Sequence, residues 1–203
     1  MGLKSGVSRA MLCGLLFACA VPAMAQFSDS YNFLKAVRDA DGTEAMKYLN
    51  KPGAPVLNTR DPATGETALH ISVKAHNGSW VGFLLNKGIN TEIKDRQGNT
   101  ALHDAALVGD PTALTYLLAM KARVNATNNN GETPLILAVH RRDIEAVHAL
   151  IDAGADANIQ DTIAGKSALD YARQDPRASA ILKVLLEAKA PPKKAVAGPV
   201  LGF

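Results

Sequence analysis

Polar and apolar positions fall into blocks along this chain, and the blocks recur. Gly65-Glu66-Thr67-Ala68-Leu69-His70, Gly98-Asn99-Thr100-Ala101-Leu102-His103, Gly131-Glu132-Thr133-Pro134-Leu135-Ile136 and Gly165-Lys166-Ser167-Ala168-Leu169-Asp170 each run from a glycine through a short polar stretch into an apolar one. The glycines lie 33, 33 and 34 residues apart. An apolar doublet closes each of the first three blocks: Leu84-Leu85, Leu117-Leu118 and Leu150-Ile151. Upstream, 31–38 and 44–49 read as two short amphipathic helices, and downstream 168–173 and 178–188 read as a further pair. A fixed period of this size identifies a solenoid in which each unit buries its apolar face against the next.

Asp61, Asp95, Asn128 and Asp161 open the turns before each motif, as residues whose side chains cap their own turn. In the first and last of these turns one extra residue precedes the glycine. These features resemble the ankyrin repeat, with its T-P-L-H-x-A signature. The resemblance covers about residues 28–190 and implies an all-α stack of helix-turn-helix units. Three full repeats (61–94, 95–127, 128–160) are expected between an N-terminal capping repeat (26–60) and a C-terminal one (161–190), since the ends of a stack meet water. The second repeat has Lys121 where Gly88 and Gly154 end the other helix pairs, which predicts a less regular turn there. Trp80, near the start of a second helix, is expected to face the stack.

The first 25 residues follow another pattern. Lys4 and Arg9 precede an uncharged apolar run from Met11 to Val21, and Ala23-Met24-Ala25 supplies small residues for a peptidase. These are the parts of a secretory signal peptide, with cleavage expected after Ala25. The run is too short for a bilayer, so no integral span is expected. Cys13 and Cys19, the two cysteines, both fall inside it, leaving a mature chain without thiols that suits an oxidising compartment. The periplasm is the expected location. Leu16-Phe17-Ala18-Cys19 offers the alternative of a lipoprotein anchored through Cys19.

Composition agrees with a packed domain: 47% of residues are apolar, but only 5% aromatic, so the core must be built mainly from Ala, Leu, Ile and Val. The formal charge of +3 falls to +1 without Lys4 and Arg9, and to −2 once Lys189, Lys193 and Lys194 are set aside with the C-terminal end. No basic stripe remains on the repeats, which disfavours nucleic acid as a partner. Residues 191–203, with three prolines and two glycines, read as a flexible tail.

Candidate chemistry is sparse. His70 and His103 occupy equivalent sites, but packed helices stand about 8–10 Å apart whereas zinc needs nitrogens at about 2.1 Å, so no metal is expected. The resemblance implies that both are structural and bonded to Thr67 and Thr100. The chain carries no G-x-S-x-G elbow, P-loop or H-E-x-x-H. No catalytic residue, metal or cofactor is assigned; an atypical site around His103, Asp104 and His140 is the enzymatic alternative. Binding of a protein by a monomeric stack is the leading expectation. The turn tips and first-helix faces would carry it, through Arg96, Gln97, Asn99, Leu107, Val108, Asn129, Asn130, Glu132, His140 and Arg141, with Thr64, Glu66, Lys74 and Ala75 in the first repeat. Leu107 and Val108 would form an apolar centre within a polar rim. A partner that assists an enzyme and a toxin neutralised by an immunity protein are equally open.

Overall fold

A computed structural model of the chain describes residues 20–51 and 56–189, with side chains placed for 29–51 and 56–188. Most of the expected signal peptide, both cysteines and the C-terminal tail lie outside the described residues. Those described are helical, with one isolated bridge between Gln160 and Ser167. They divide into two compact units between Val56 and Leu57.

The first unit pairs α1 (Ala20–Arg38) with α2 (Gly42–Leu49). α1 begins well before Tyr31, where the amphipathic pattern starts. Pro22 falls in its first turn, the place where a missing N–H does no harm, and the helix runs on through Ala25. Asp41 caps α2 by accepting from the Glu44 N–H at 2.9 Å, and Phe33, Leu34, Ala36, Val37 and Ala45 are buried.

Among the described residues, the second unit holds four helix pairs. They are α3 (Ala68–Lys74) with α4 (Gly78–Asn86), α5 (Ala101–Val108) with α6 (Pro111–Ala119), α7 (Pro134–Arg141) with α8 (Ile144–Asp152), and α9 (Ala168–Gln174) with α10 (Ser179–Lys189). The first helices pack in one layer, α3 on α5 on α7 on α9, and α4, α6, α8 and α10 form the second. Each first helix starts where an extended Thr67, Thr100, Thr133 or Ser167 meets the apolar run. At the first, second and fourth of these starts the side chain three residues on, His70, His103 or Asp170, returns a bond to the cap's own N–H. Ile136 cannot, so that helix keeps only the Thr133 hydroxyl bond at 3.3 Å. Asn77, Asp110 and Asp143 cap the second helices.

The core is a pair of leucine rows. Leu69, Leu102, Leu135 and Leu169 line the first layer and Leu84, Leu117, Leu150 and Leu185 the second, all buried. Burying each is worth about 1.5–3 kcal/mol, so the stack is held by a term that repeats with its period. Ala105, Ala138 and Ala172 are buried between these rows on the first helices, where a small side chain allows close approach.

The turn at Lys121 corrects the expectation of irregularity. Lys121 takes φ 58°, against 79° at Gly88 and 91° at Gly154. Its flanking bonds match theirs: Ala122 N–H donates to Leu117 at 3.1 Å, as Ile89 does to Leu84 at 3.2 Å and Ala155 to Leu150 at 2.9 Å. These local helix-end bonds hold the left-handed conformation, and lysine absorbs a strain of about 1–2 kcal/mol rather than changing the turn.

Trp80 is half-buried and meets Phe83 edge-on at 5.4 Å, so it is only partly a stack residue.

Candidate protein-binding surface

Each turn preceding a first helix is built by one side chain. Asp95 Oδ1 accepts from the N–H groups of Gln97 (2.9 Å) and Asn99 (2.8 Å), and Asn128 Oδ1 from those of Asn130 (2.9 Å) and Glu132 (3.0 Å). Asp161 Oδ1 takes Ile163, Ala164 and Gly165 in the longer last turn. The tips then join to one another. Arg96 N–H donates to Thr64 at 2.9 Å, Asn129 to Gln97 at 3.0 Å and Thr162 to Asn130 at 2.8 Å. Gly98 sits where this ladder is tightest. Its φ is +80°, and a Cβ there would stand 2.6 Å from the Asn129 nitrogen.

His70 and His103 extend the ladder inward. The N–H of Thr67 donates to His70 Nδ1 at 3.2 Å, so that nitrogen is an acceptor and Nε2 carries the proton, donating to the Asn99 carbonyl at 3.0 Å. His103 repeats this with Thr100 (3.1 Å) and the Glu132 carbonyl (3.1 Å). Burial pulls both imidazoles below the ordinary range, His103 to about 4, which keeps them neutral. With both nitrogens bonded, neither has a lone pair for a metal. Among the described residues no group of His, Cys, Asp or Glu is placed to hold one.

Several expected contact residues are part of this scaffold. Asn99 is buried and is corrected from an open contact residue to an internal one: its Oδ1 accepts from Asn128 Nδ2 at 3.1 Å and its Nδ2 donates to Gln97 Oε1 at 3.2 Å. Asn129 is exposed but donates from Nδ2 to the Arg96 carbonyl at 2.9 Å. Arg96 Nη2 donates to the Pro62 carbonyl, and Arg141 Nη1 to the Leu107 carbonyl at 3.0 Å. Both arginines therefore tie a repeat to the one before it, and reversing their charge would loosen the stack as well as any interface. Glu132 accepts from Asn128 Nδ2 at 2.8 Å, while Gln97 and Asn130 keep exposed side chains at the tips.

Three expected residues remain open on the first-helix face. Leu107 is 43% exposed, Val108 half-buried and His140 exposed. His140 lies 4.3 Å, ring to ring, from Tyr171. Tyr171 donates from its hydroxyl to Asp161 Oδ2 at 2.5 Å, a bond to a carboxylate that pushes its pKa up to about 12. On the other side of Leu107 lies Lys74, with Nζ 2.8 Å from Glu66 Oε1, 3.4 Å from Asp104 Oδ2 and 3.7 Å from Asp95 Oδ2. Asp104 is fully buried, and burial pushes its carboxyl up to about 7 against the pull of Lys74. His103, Asp104 and His140 thus have separate partners: the scaffold carbonyl, the lysine cluster and the Tyr171 ring.

Asp104, Asp95 and Tyr171 were missing from the sequence-derived surface. The repeat register carried a signal for two of them. Asp104 and Tyr171 stand where the other first helices have Ile71 and Leu137, so each breaks an apolar column.

The family model described as ankyrin repeats (3 copies) matches residues 33–128 and again 104–195. The nuclear factor NF-kappa-B p105 subunit of Gallus gallus is 31% identical over 71% of this chain and 14% of its own length. A putative ankyrin repeat-containing protein of Treponema pallidum (strain Nichols) is 29% identical over 70% of the chain and 47% of its own length. The neurogenic locus notch homolog protein 1 of Xenopus laevis is 36% identical over 66% of the chain and 5% of its own. The chain therefore spans less than half the length of each of these relatives.

Proposed function

The chain belongs to the ankyrin-repeat family, and from that premise we propose that it is an exported, non-enzymatic binding protein that holds one partner protein against its turn tips and first helices. That face is the concave side of an ankyrin stack. The observation that carries the reading is the open apolar strip of Leu107 and Val108, flanked by the Lys74 cluster on one side and by His140 and Tyr171 on the other. An apolar centre with a polar rim is how protein interfaces are built. The ladder of tip-to-tip bonds supports docking onto a preorganised surface, which spares the ordering cost that flexible loops incur.

Export to the periplasm rests on Lys4, Arg9, the apolar run from Met11 to Val21 and the Ala23-Met24-Ala25 site. No helix among the described residues is long and apolar enough to cross a membrane. The mature protein acts as a monomer beginning at Gln26. Intact mass of the exported protein tests this: a lipid-modified chain starting at Cys19 would refute it.

Docking is tested by affinity capture from the envelope of the source cell with wild type and with Leu107→Glu/His140→Ala. Both substitutions fall on exposed side chains, so the fold is retained. A partner held by wild type and lost from the variant is expected; equal retention would refute the use of this face.

A further inference from the structure

The cluster beside Leu107 departs from the repeat. Where Ile71 and Leu137 place buried apolar side chains in the first and third repeats, the second has a carboxylate with no exposure. Neither Asp104 Oδ1 nor Oδ2 has a hydrogen-bond partner among the described residues. Lys74 stands at ion-pair distance without bonding to it, and is itself about a third exposed. A buried charge left without hydrogen bonds is unfavourable, and a leucine would serve the stack better. Around the same ammonium lie Glu66 and Asp95, so one cation faces three carboxylates.

We propose that the carboxylates around Lys74 accept a guanidinium or ammonium group from the partner polypeptide, in a pocket that opens when the partly exposed Lys74 side chain swings off the buried Asp104, and that the neighbouring apolar side chain of that segment rests on Leu107. This rests on the reading of that face as the docking surface and adds the chemistry of what docks there. A guanidinium carries five donors in a planar fork, and these supply the bonds that both Asp104 oxygens and Asp95 Oδ2 lack from Lys74. Lys74, on a flexible four-carbon stem, stays with Glu66, its 2.8 Å partner. The incoming cation brings the cluster nearer to neutrality. Asp104 and Leu107 are three apart on α5 and so lie on one side of the helix, a spacing that suits two adjacent side chains of an extended segment.

The test titrates isotopically labelled protein with two peptides, Ac-Gly-Arg-Leu-Gly-amide and Ac-Gly-Glu-Leu-Gly-amide, at about pH 8, where Asp104 is ionised. The arginine peptide is expected to shift the resonances of Asp104, Leu107 and Val108 and to bind at least about tenfold more tightly than the glutamate peptide. Asp104→Asn, which keeps the side-chain shape, should remove that preference. Equal binding of both peptides at Leu107 would overturn the cation pocket while leaving the docking face intact. An arginine preference unchanged in Asp104→Asn would also overturn it, as general attraction to an acidic body. Shifts confined to another surface would overturn the pocket and count against the docking face together.

Discussion

Replacing Asp104 by leucine should stabilise this protein, and by an amount that depends on pH. Burial raises the folded-state pKa of Asp104 from 3.8 to about 7, so the folded chain holds a proton there that the unfolded chain has released. Its contribution to stability is therefore greatest at low pH and is lost as pH rises towards the folded pKa, reaching a full cost of about 4 kcal/mol above about pH 8. The same two pKa values give a cost of about 2 kcal/mol at about pH 5 and about 4 at about pH 8, so the advantage of the leucine variant should widen by about 2–3 kcal/mol between them. Ile71 and Leu137 at the equivalent positions indicate that the stack has room for the side chain. The wild-type pH curve alone would hide the effect. Burial also lowers the pKa values of His70 and His103, so both favour folding less as pH falls below their unfolded value, the opposite trend. The difference between the two proteins cancels that term. Urea unfolding followed by circular dichroism at both pH values measures it. A difference that does not change with pH, or a leucine variant less stable than wild type at about pH 8, would refute the assignment of Asp104 as a strained buried acid.

Gly98→Ala and Gly165→Ala separate backbone strain from crowding. Both glycines have positive φ, but only Gly98 faces a following tip, so Gly165→Ala should cost about 1–2 kcal/mol and Gly98→Ala at least about 1 kcal/mol more; equal costs in thermal melts would remove the tip ladder as a stabilising element. Lys121→Gly relieves the left-handed strain at the price of backbone entropy and should stabilise by about 0.5–1 kcal/mol, whereas any loss on urea denaturation would show that the lysine makes a compensating contact. Leu102→Ala opens a cavity in the first-layer leucine row and should lose about 2–5 kcal/mol in the same assay, with a loss under about 1 kcal/mol refuting its place in the core.

Much of the stack was legible because its determinants are local and periodic. A capping Thr or Ser, a turn-opening Asp or Asn and a leucine at fixed offset act within a few residues, so the period of the sequence carries them directly. Lys121 was expected to make a less regular turn because lysine disfavours positive φ by itself, but the helix-end bonds from Lys121 and Ala122 back to Leu118 and Leu117 hold the turn in spite of that strain. Elsewhere the expectations failed where one residue's role depends on another repeat. Asn99, polar and next to a turn glycine, looked free; the following turn covers it. Arg96 and Arg141 looked like interface charges until their partners appeared in the preceding repeat, about 34 residues back.

By itself, the sequence determined the all-α repeat architecture, the helix starts and the leucine rows, since each follows from short-range chemistry repeated at one period; the structural role of His70 and His103 was implied by the family resemblance. Tertiary structure decided which polar residues are tied into the scaffold and which remain open. It also brought Glu66, Lys74, Asp95 and Asp104 into one cluster from two turns and two helices. Such a cluster depends on the distance and direction between neighbouring units, and stacking alone sets those.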